Sequence, residues 1–215
     1  MTSRSFFMRS IVLGALLMAG CGTLLAPRHD PTSFFILAAL PANGAVGSAS
    51  SAARALSIGL GPVQLPDYLQ RDEIITRTGP NRVVISETDR WAEPLGDSFR
   101  RVLGNDLSGR LDGADVVPYP WYSSVRLDYK VEVDVSRFEP DASGNARLTA
   151  RWRIRDGVTN KIRINQDSSF ATKARSGATA DSVAAMSATL ADFSAAVAAE
   201  IDKLRQQNRT ISAAR

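Results

Sequence analysis

Two runs of strict two-residue alternation constrain this chain more than any other feature. In the first, Tyr129, Val131, Val133 and Val135 alternate with Lys130, Glu132, Asp134 and Ser136; in the second, Leu148, Ala150, Trp152 and Ile154 alternate with Arg147, Thr149, Arg151, Arg153 and Arg155. Successive side chains of a strand point to opposite faces, so each run carries one apolar and one polar side. With residues 140–145 as the turn between them, the runs predict an antiparallel hairpin that is dry on one face and wet on the other. The wet face sets Lys130, Glu132 and Asp134 opposite a row of arginines. Cross-strand ion pairs are sufficient to explain that row without a ligand.

A dry sheet face needs a cover, and two amphipathic segments supply it. In residues 92–111, Leu95, Phe99, Val102, Leu103 and Leu107 recur at three- and four-residue steps; in residues 179–206, Val183, Met186, Leu190, Phe193, Val197, Ile201 and Leu204 do the same. That spacing lays an apolar stripe along one side of a helix. Asp89 or Glu93 is placed to serve the start of the first helix, and Gly113 to end it. The fold expected is an α+β two-layer sandwich, a mostly antiparallel sheet with two main helices packed on one face. Val131, Val133, Leu148, Trp152 and Ile154 should then be buried against Leu103, Leu107, Met186, Leu190 and Phe193.

The remaining segments are shorter. Residues 32–40, with Phe34-Phe35-Ile36-Leu37, read as a first buried strand, and residues 41–53, rich in Ala, Gly and Ser, as a loop. Residues 55–60 read as a second strand closed by Pro62, after which residues 63–71 run along an edge or surface. Residues 74–77 and 82–86 form a hairpin around Gly79-Pro80-Asn81, residues 116–119 a short strand, and residues 161–169 another. The last residues, 208–215, are expected to fray.

The N-terminus is of a different kind. Arg4 and Arg9 precede an apolar run from Ile11 to Met18, then Ala19, Gly20 and Cys21. The run falls short of the roughly 20 residues needed to span a bilayer, so residues 1–20 read as a signal peptide. Leu17-Met18-Ala19-Gly20-Cys21 resembles a lipobox, with cleavage between Gly20 and Cys21 and lipidation of the Cys21 thiol. Acylation of the new α-amino group adds a second anchor, and two or more chains hold stably where one holds marginally. Cys21 is the single cysteine, so no disulfide within the chain competes for it. Gly22 stands where an Asp would retain a lipoprotein in the inner membrane, which favours the outer one. Residues 21–31 become a lipidated tether, residues 32–207 the domain, and 208–215 a flexible end.

Several chemistries lack their residues. The formal charge is +4, two units of which belong to Arg4 and Arg9 in the leader, and no dense basic tract remains to follow a nucleic-acid backbone. His29 is the single histidine and lies in the tether, away from any Ser-His or Cys-His site. No glycine-rich phosphate loop joins a strand to a helix. The acids Glu87, Asp89, Glu93 and Asp97 cluster near a helix start, where they complement its dipole. No catalytic residue, metal site or cofactor is expected.

Phe34-Phe35-Ile36-Leu37, Ile58-Gly59-Leu60-Gly61-Pro62-Val63, Leu65-Pro66-Asp67-Tyr68-Leu69-Gln70-Arg71 and Arg90-Trp91-Ala92-Glu93-Pro94-Leu95 together resemble the ABC-type transport auxiliary lipoprotein family, over about residues 34–205. The resemblance implies a membrane-anchored periplasmic lipoprotein that serves an intermembrane lipid transport system beside an MCE-domain protein and an ABC-type inner-membrane component. Tyr68, Arg71, Arg90 and Trp91 form one candidate partner-binding group, and Trp121 and Tyr122, held by Pro118 and Pro120, a second. For Trp91 the role of a core aromatic just before the first helix weighs more than a partner contact. Phospholipid and a second copy of the chain are further candidate partners. The competing expectation is a periplasmic lipoprotein that binds a lipid or another ligand itself, in an apolar pocket between sheet and helices.

Overall fold

The alternating hairpin is the spine of the structure, a computed structural model that describes residues 31–39, 55–122 and 124–213. In chain order the elements are β1 (Ser33–Phe35), β2 (Ser57–Gln64), a 3-10 turn (Asp67–Leu69), β3 (Glu73–Gly79), β4 (Arg82–Trp91), α1 (Leu95–Arg110), β5 (Asp115–Pro118), β6 (Tyr129–Pro140), β7 (Ala146–Asp156), β8 (Ile162–Thr172) and α2 (Thr179–Ala213). They belong to one unit running from Thr32 to Arg215. The strands form a five-stranded sheet in the order β5-β2-β6-β7-β8 and a three-stranded sheet in the order β1-β4-β3. An isolated bridge between Arg77 and Asp141 joins β3 to the turn after β6.

The predicted hairpin holds its register, with Val131 opposite Ile154, Val133 opposite Trp152 and Val135 opposite Ala150. All six are buried, as are Leu103, Leu107, Met186, Leu190 and Phe193 of the helices. The layer between sheet and helices is filled by aromatic rings. Phe193 meets Trp152 edge-on with centroids 6.1 Å apart and Phe99 at 6.3 Å, and Phe99 meets Phe138 at 5.3 Å. By length and composition Thr179–Thr210 is apolar enough to cross a membrane, but here its apolar stripe is the floor of the core. Its buried Ser182, Ser187, Thr189 and Ser194 each donate a hydroxyl hydrogen bond to the carbonyl four residues back.

The sheets are mixed, which alternation along single strands does not reveal. β2 pairs in parallel with both β5 and β6, and β1 pairs in parallel with β4. Pro62 does not close β2: the strand continues to Gln64 through an irregularity between Leu60 and Val63, so residues 63 and 64 pair inside the sheet. Leu65 and Leu69 beyond it are buried. The expected strand at 32–40 shrinks to three residues and is only partly buried: Phe34 and Ile36 face outward, Phe35 is half-buried against the core and Leu37 enters it.

Because β5 and β6 flank β2 in the same direction, the link between them crosses the wet face of the sheet. It crosses over Gly59, where a Cβ would come within 2.7 Å of both Trp121 Cε2 and Leu127 Cδ1. Neighbouring Gly61 has φ +124, and a Cβ there would lie 2.6 Å from that of Tyr119. The two glycines are thus needed by the crossing above them, one for room and the other for backbone conformation as well.

Helix starts and ends also differ from expectation. Pro94 precedes α1 and no side chain caps it. Asp89 instead accepts a hydrogen bond from Thr179 Oγ1 at 2.6 Å, tying β4 to the start of α2, and Glu93 pairs with Arg101 at 2.5 Å. α2 continues through Ala213, past the expected end at 206. No Gly or Pro interrupts residues 207–213, and Asn208 reaches back to the Tyr129 hydroxyl at 3.1 Å. Gly20, Cys21, the tether and the loop at 41–53 lie outside the described residues.

One polar group in α1 is poorly matched to its surroundings. Asp106 is 5% exposed and its Oδ2 has no hydrogen-bond partner among the described residues. Burial pushes its carboxyl above the ordinary range, partly opposed by Ser194 and Arg110. An acid raised in the folded state destabilises the fold above its folded pKa, and the penalty vanishes below the unfolded value near 4. Asp106→Asn should therefore stabilise the protein by on the order of 1 kcal/mol at pH 7, with the gain shrinking towards pH 4. Urea unfolding of both forms at the two pH values measures it, and an equal gain at both would show that charge is not the cause.

Candidate functional site

Residues 65–73 fold into a 3-10 turn and then an extended strand because Leu65 and Leu69 plunge into the core, leaving the polar residues between them at the surface. This places Arg71 at the rim beside Glu73, with Nε 2.9 Å from Oε2. β4 runs antiparallel to β3 with Arg90 opposite Glu73, and Arg90 reaches Glu73 Oε1 at 3.2 Å. The three residues form a cation-acid-cation bridge across the edge of the small sheet. The guanidiniums, Arg71 foremost, hold the Glu73 carboxyl down at about 2. The bridge therefore stays ionised at any physiological pH.

Tyr68 and Trp91 point elsewhere. The Tyr68 hydroxyl donates to Glu139 Oε2 at 2.8 Å, and Arg77 lies over the Tyr68 ring, 5.8 Å from its centroid. Arg77 Nε donates to Glu139 Oε1 at 2.5 Å, and Arg137 stands 2.9 Å from the same oxygen. Glu139, 1% exposed, is thus the hub of a buried polar cluster between the small sheet and β6. Burial, with Glu139 adding to it, raises the Tyr68 hydroxyl above its usual range. It is a standing donor. Trp91 is 6% exposed and lines an apolar seam with Leu69, Ile75, Leu95, Phe138 and Met186. It cannot offer its ring to a partner, and its place in the candidate group is corrected to the core. Of the four residues grouped from the sequence, Arg71 and Arg90 come together at the surface; Glu73 and Glu139, which organise them and Tyr68, carried no sequence signal beyond being acids among arginines.

The second group sits on the crossing link. Trp121 lies half-buried over Gly59, donates Nε1 to the Val117 carbonyl at 2.9 Å, meets Tyr119 edge-on at 5.2 Å and takes Lys130 over its ring at 5.8 Å. It is the peg of the link. Tyr122 next to it is 83% exposed and Tyr119 47%. The aromatic area on offer to a partner is therefore that of the two tyrosines, with Trp121 holding them in place.

Two clefts run along the outer side of α1 and share Asp97 and Arg100. One, of about 540 Å³, lies between α1 and β5 and is lined by Leu60, Arg101, Gly104, Ser108, Val116 and Pro118 among others. The other, of about 580 Å³, is lined by residues 63–65, Asp67, Gln70, Arg71, Asp72 and residues 94–97. Arg71 thus belongs both to the charged bridge and to the wall of a cleft.

Comparison with known proteins places this geometry in context. The family described as ABC-type transport auxiliary lipoprotein component matches residues 39–198. The intermembrane transport lipoprotein PqiC of Escherichia coli is 25% identical over 144 residues, covering 67% of this chain and 72% of PqiC; PqiC of Shigella flexneri matches to the same extent. The crystal structure of protein XCC0632 from Xanthomonas campestris superposes with a TM-score of 0.66 at 18% identity, covering 83% of this chain and 99% of that one. A second crystal structure, of an uncharacterized protein, gives a TM-score of 0.65 at 22% identity and covers 79% and 98%. The two structures share the fold.

Proposed function

The chain belongs to the ABC-type transport auxiliary lipoprotein family, and from that premise we propose that it docks a periplasmic partner of an intermembrane transport machine to the membrane that holds its acylated Cys21. The partner is a periplasmic MCE-domain protein, the membrane the outer one, and the domain itself non-catalytic. PqiC, its relative, is named for intermembrane transport, which supports the setting. The observation that carries the docking reading over lipid binding is the filled layer where the helices cover β6 and β7, with Phe99, Phe138, Trp152 and Phe193 in the space a lipid would need; the cleft between α1 and β5 carries Asp97, Arg100 and Arg101 in its wall. What remains for a partner is surface: the exposed Tyr119 and Tyr122, and the Arg71-Glu73-Arg90 bridge beside its cleft.

The test uses the full acylated chain in mild detergent with the purified MCE-domain protein, bound lipid being measured in parallel by mass spectrometry. Capture of that protein without stoichiometric lipid is expected, and stoichiometric lipid without capture would move the function to lipid binding. Tyr122→Ala, at a side chain with little burial to lose, should weaken capture on the order of tenfold, the range of a single aromatic interface residue, with an unchanged unfolding midpoint. Unaltered capture by both Tyr122→Ala and Arg71→Ala would place the contact elsewhere. Anchoring is checked separately by mass spectrometry of the mature N-terminus: a diacylated Cys21 is expected, and an unmodified Cys21 or cleavage at another bond would remove the anchor from the proposal.

A further inference from the structure

We infer that the β3–β4 hairpin touches the lipid bilayer, its tip resting among the headgroups while Cys21 is anchored; this rests on the membrane-anchored reading above. The hairpin leaves the body of the protein after Arg77, which is tied to Glu139 by its side chain and to Asp141 by a backbone bridge. On the returning strand Val83, Val84 and Ile85, opposite Arg77, Thr76 and Ile75, are 36%, 45% and 42% exposed. Consecutive strand residues face opposite sides: Val83 and Ile85 share the face that Arg77 and Ile75 turn towards the body, Val84 shares the other with Thr76, and exposed aliphatic side chains occur on both. A surface docked on a rigid partner needs one apolar face; exposed aliphatics on both faces of a hairpin suit a medium that surrounds its outer part, and Arg82 at the turn is the cation that such an element offers to headgroup phosphates.

The direction of the chain brings the hairpin to the anchored end of the domain, which favours the membrane as that medium. β1 is parallel to β4 with Ser33 beside Asp89, so the N-terminal end of β1 faces the same end of the small sheet as the hairpin turn. From Asp89 to Arg82 is about 23 Å at ~3.3 Å per residue. The twelve residues from Cys21 to Ser33 reach at most about 40 Å. The tip therefore lies within the distance at which an acylated Cys21 holds the domain from the bilayer. Phe34, 66% exposed, adds an aromatic at the same entry.

The experiment reconstitutes the full acylated protein into vesicles of phosphatidylethanolamine and phosphatidylglycerol. With the Cys21 thiol consumed by lipid, Val84→Cys supplies a single thiol for an environment-sensitive fluorophore, and Val158→Cys, 80% exposed in the turn after β7, supplies the reference. The Val84→Cys probe should shift to the blue, brighten several-fold and be quenched by nitroxide-bearing lipid, while the Val158→Cys probe remains water-like. A Val84→Cys probe that reads as water while the protein floats with the vesicles overturns the inference and leaves the anchor standing. A blue shift that ignores nitroxide lipid and follows protein concentration or added MCE-domain protein overturns it in favour of a protein contact. Failure to float overturns the anchored reading, and this inference with it.

Discussion

Trp91→Ala should destabilise the fold by about 3–5 kcal/mol, the range for truncating a buried aromatic, and any loss of partner capture should follow from that. The ring sits among Leu69, Ile75, Leu95, Phe138 and Met186, which come from the 3-10 turn, β3, β6 and both helices. Its backbone is fixed too, since the Trp91 N–H donates to the Asp72 carbonyl at 2.6 Å. The void left by alanine is therefore bounded by elements that cannot all collapse into it. Chemical denaturation gives the measurement: the midpoint should fall with the slope nearly unchanged. Trp91→Phe, which keeps most of the apolar volume, should recover much of the loss. A change below about 1 kcal/mol for Trp91→Ala would mean that the ring is not a core element, and the docking role would return.

The same residue shows where sequence reading stops. Periodicity is a local signal, so the hairpin from Tyr129 to Ile154 and the two helices, with their buried rows, could be read directly. Pairing between distant segments is not local. Nothing in residues 57–64 says that they run parallel to both β5 and β6, and Pro62, which reads as the end of a strand at 55–60, is accommodated by the irregularity between Leu60 and Val63. Phe34 and Ile36 depart from expectation for the opposite reason: an apolar run predicts burial, but the three-stranded sheet that Phe34 joins leaves both outside.

The candidate site divides along the same line. Arg71 and Arg90 could be named as surface residues of one group, but Glu73 binds them only because β3 and β4 set it opposite Arg90. Glu139 was hidden by an irregularity in the register between Val135 and Arg137. That shift ends the odd-numbered apolar series of β6 and turns Phe138 into the core. Counting by twos from Val135 would have put residue 139 among the apolar positions and Phe138 in water.

Glu139→Ala should cost about 3 kcal/mol, the lower end of the range for breaking a buried ion pair by removing one partner. Three side chains and one backbone N–H converge on this carboxylate: the Tyr68 hydroxyl at 2.8 Å, Arg77 at 2.5 Å, Arg137 at 2.9 Å and the Phe138 N–H at 3.1 Å. The lower end applies because the Arg77 and Arg137 side chains are 20% and 29% exposed, so water can reach the cations left behind. Tyr68 and Arg77 belong to the segment after β2 and the small sheet, while Glu139 belongs to β6; the cluster is thus the polar fastening between the two sheets, beside the Arg77–Asp141 bridge. Glu139→Gln keeps the shape and one acceptor oxygen but not the charge, so it should fall between wild type and alanine. If the cluster acts as a unit, Tyr68→Phe and Glu139→Ala will combine to less than the sum of their separate costs, because the second change removes a partner already lost. Equilibrium unfolding of the four proteins closes that cycle. Strict additivity would take Tyr68 out of the unit, and an alanine cost under about 1 kcal/mol would mean that the Glu139 cluster does not fasten the two sheets.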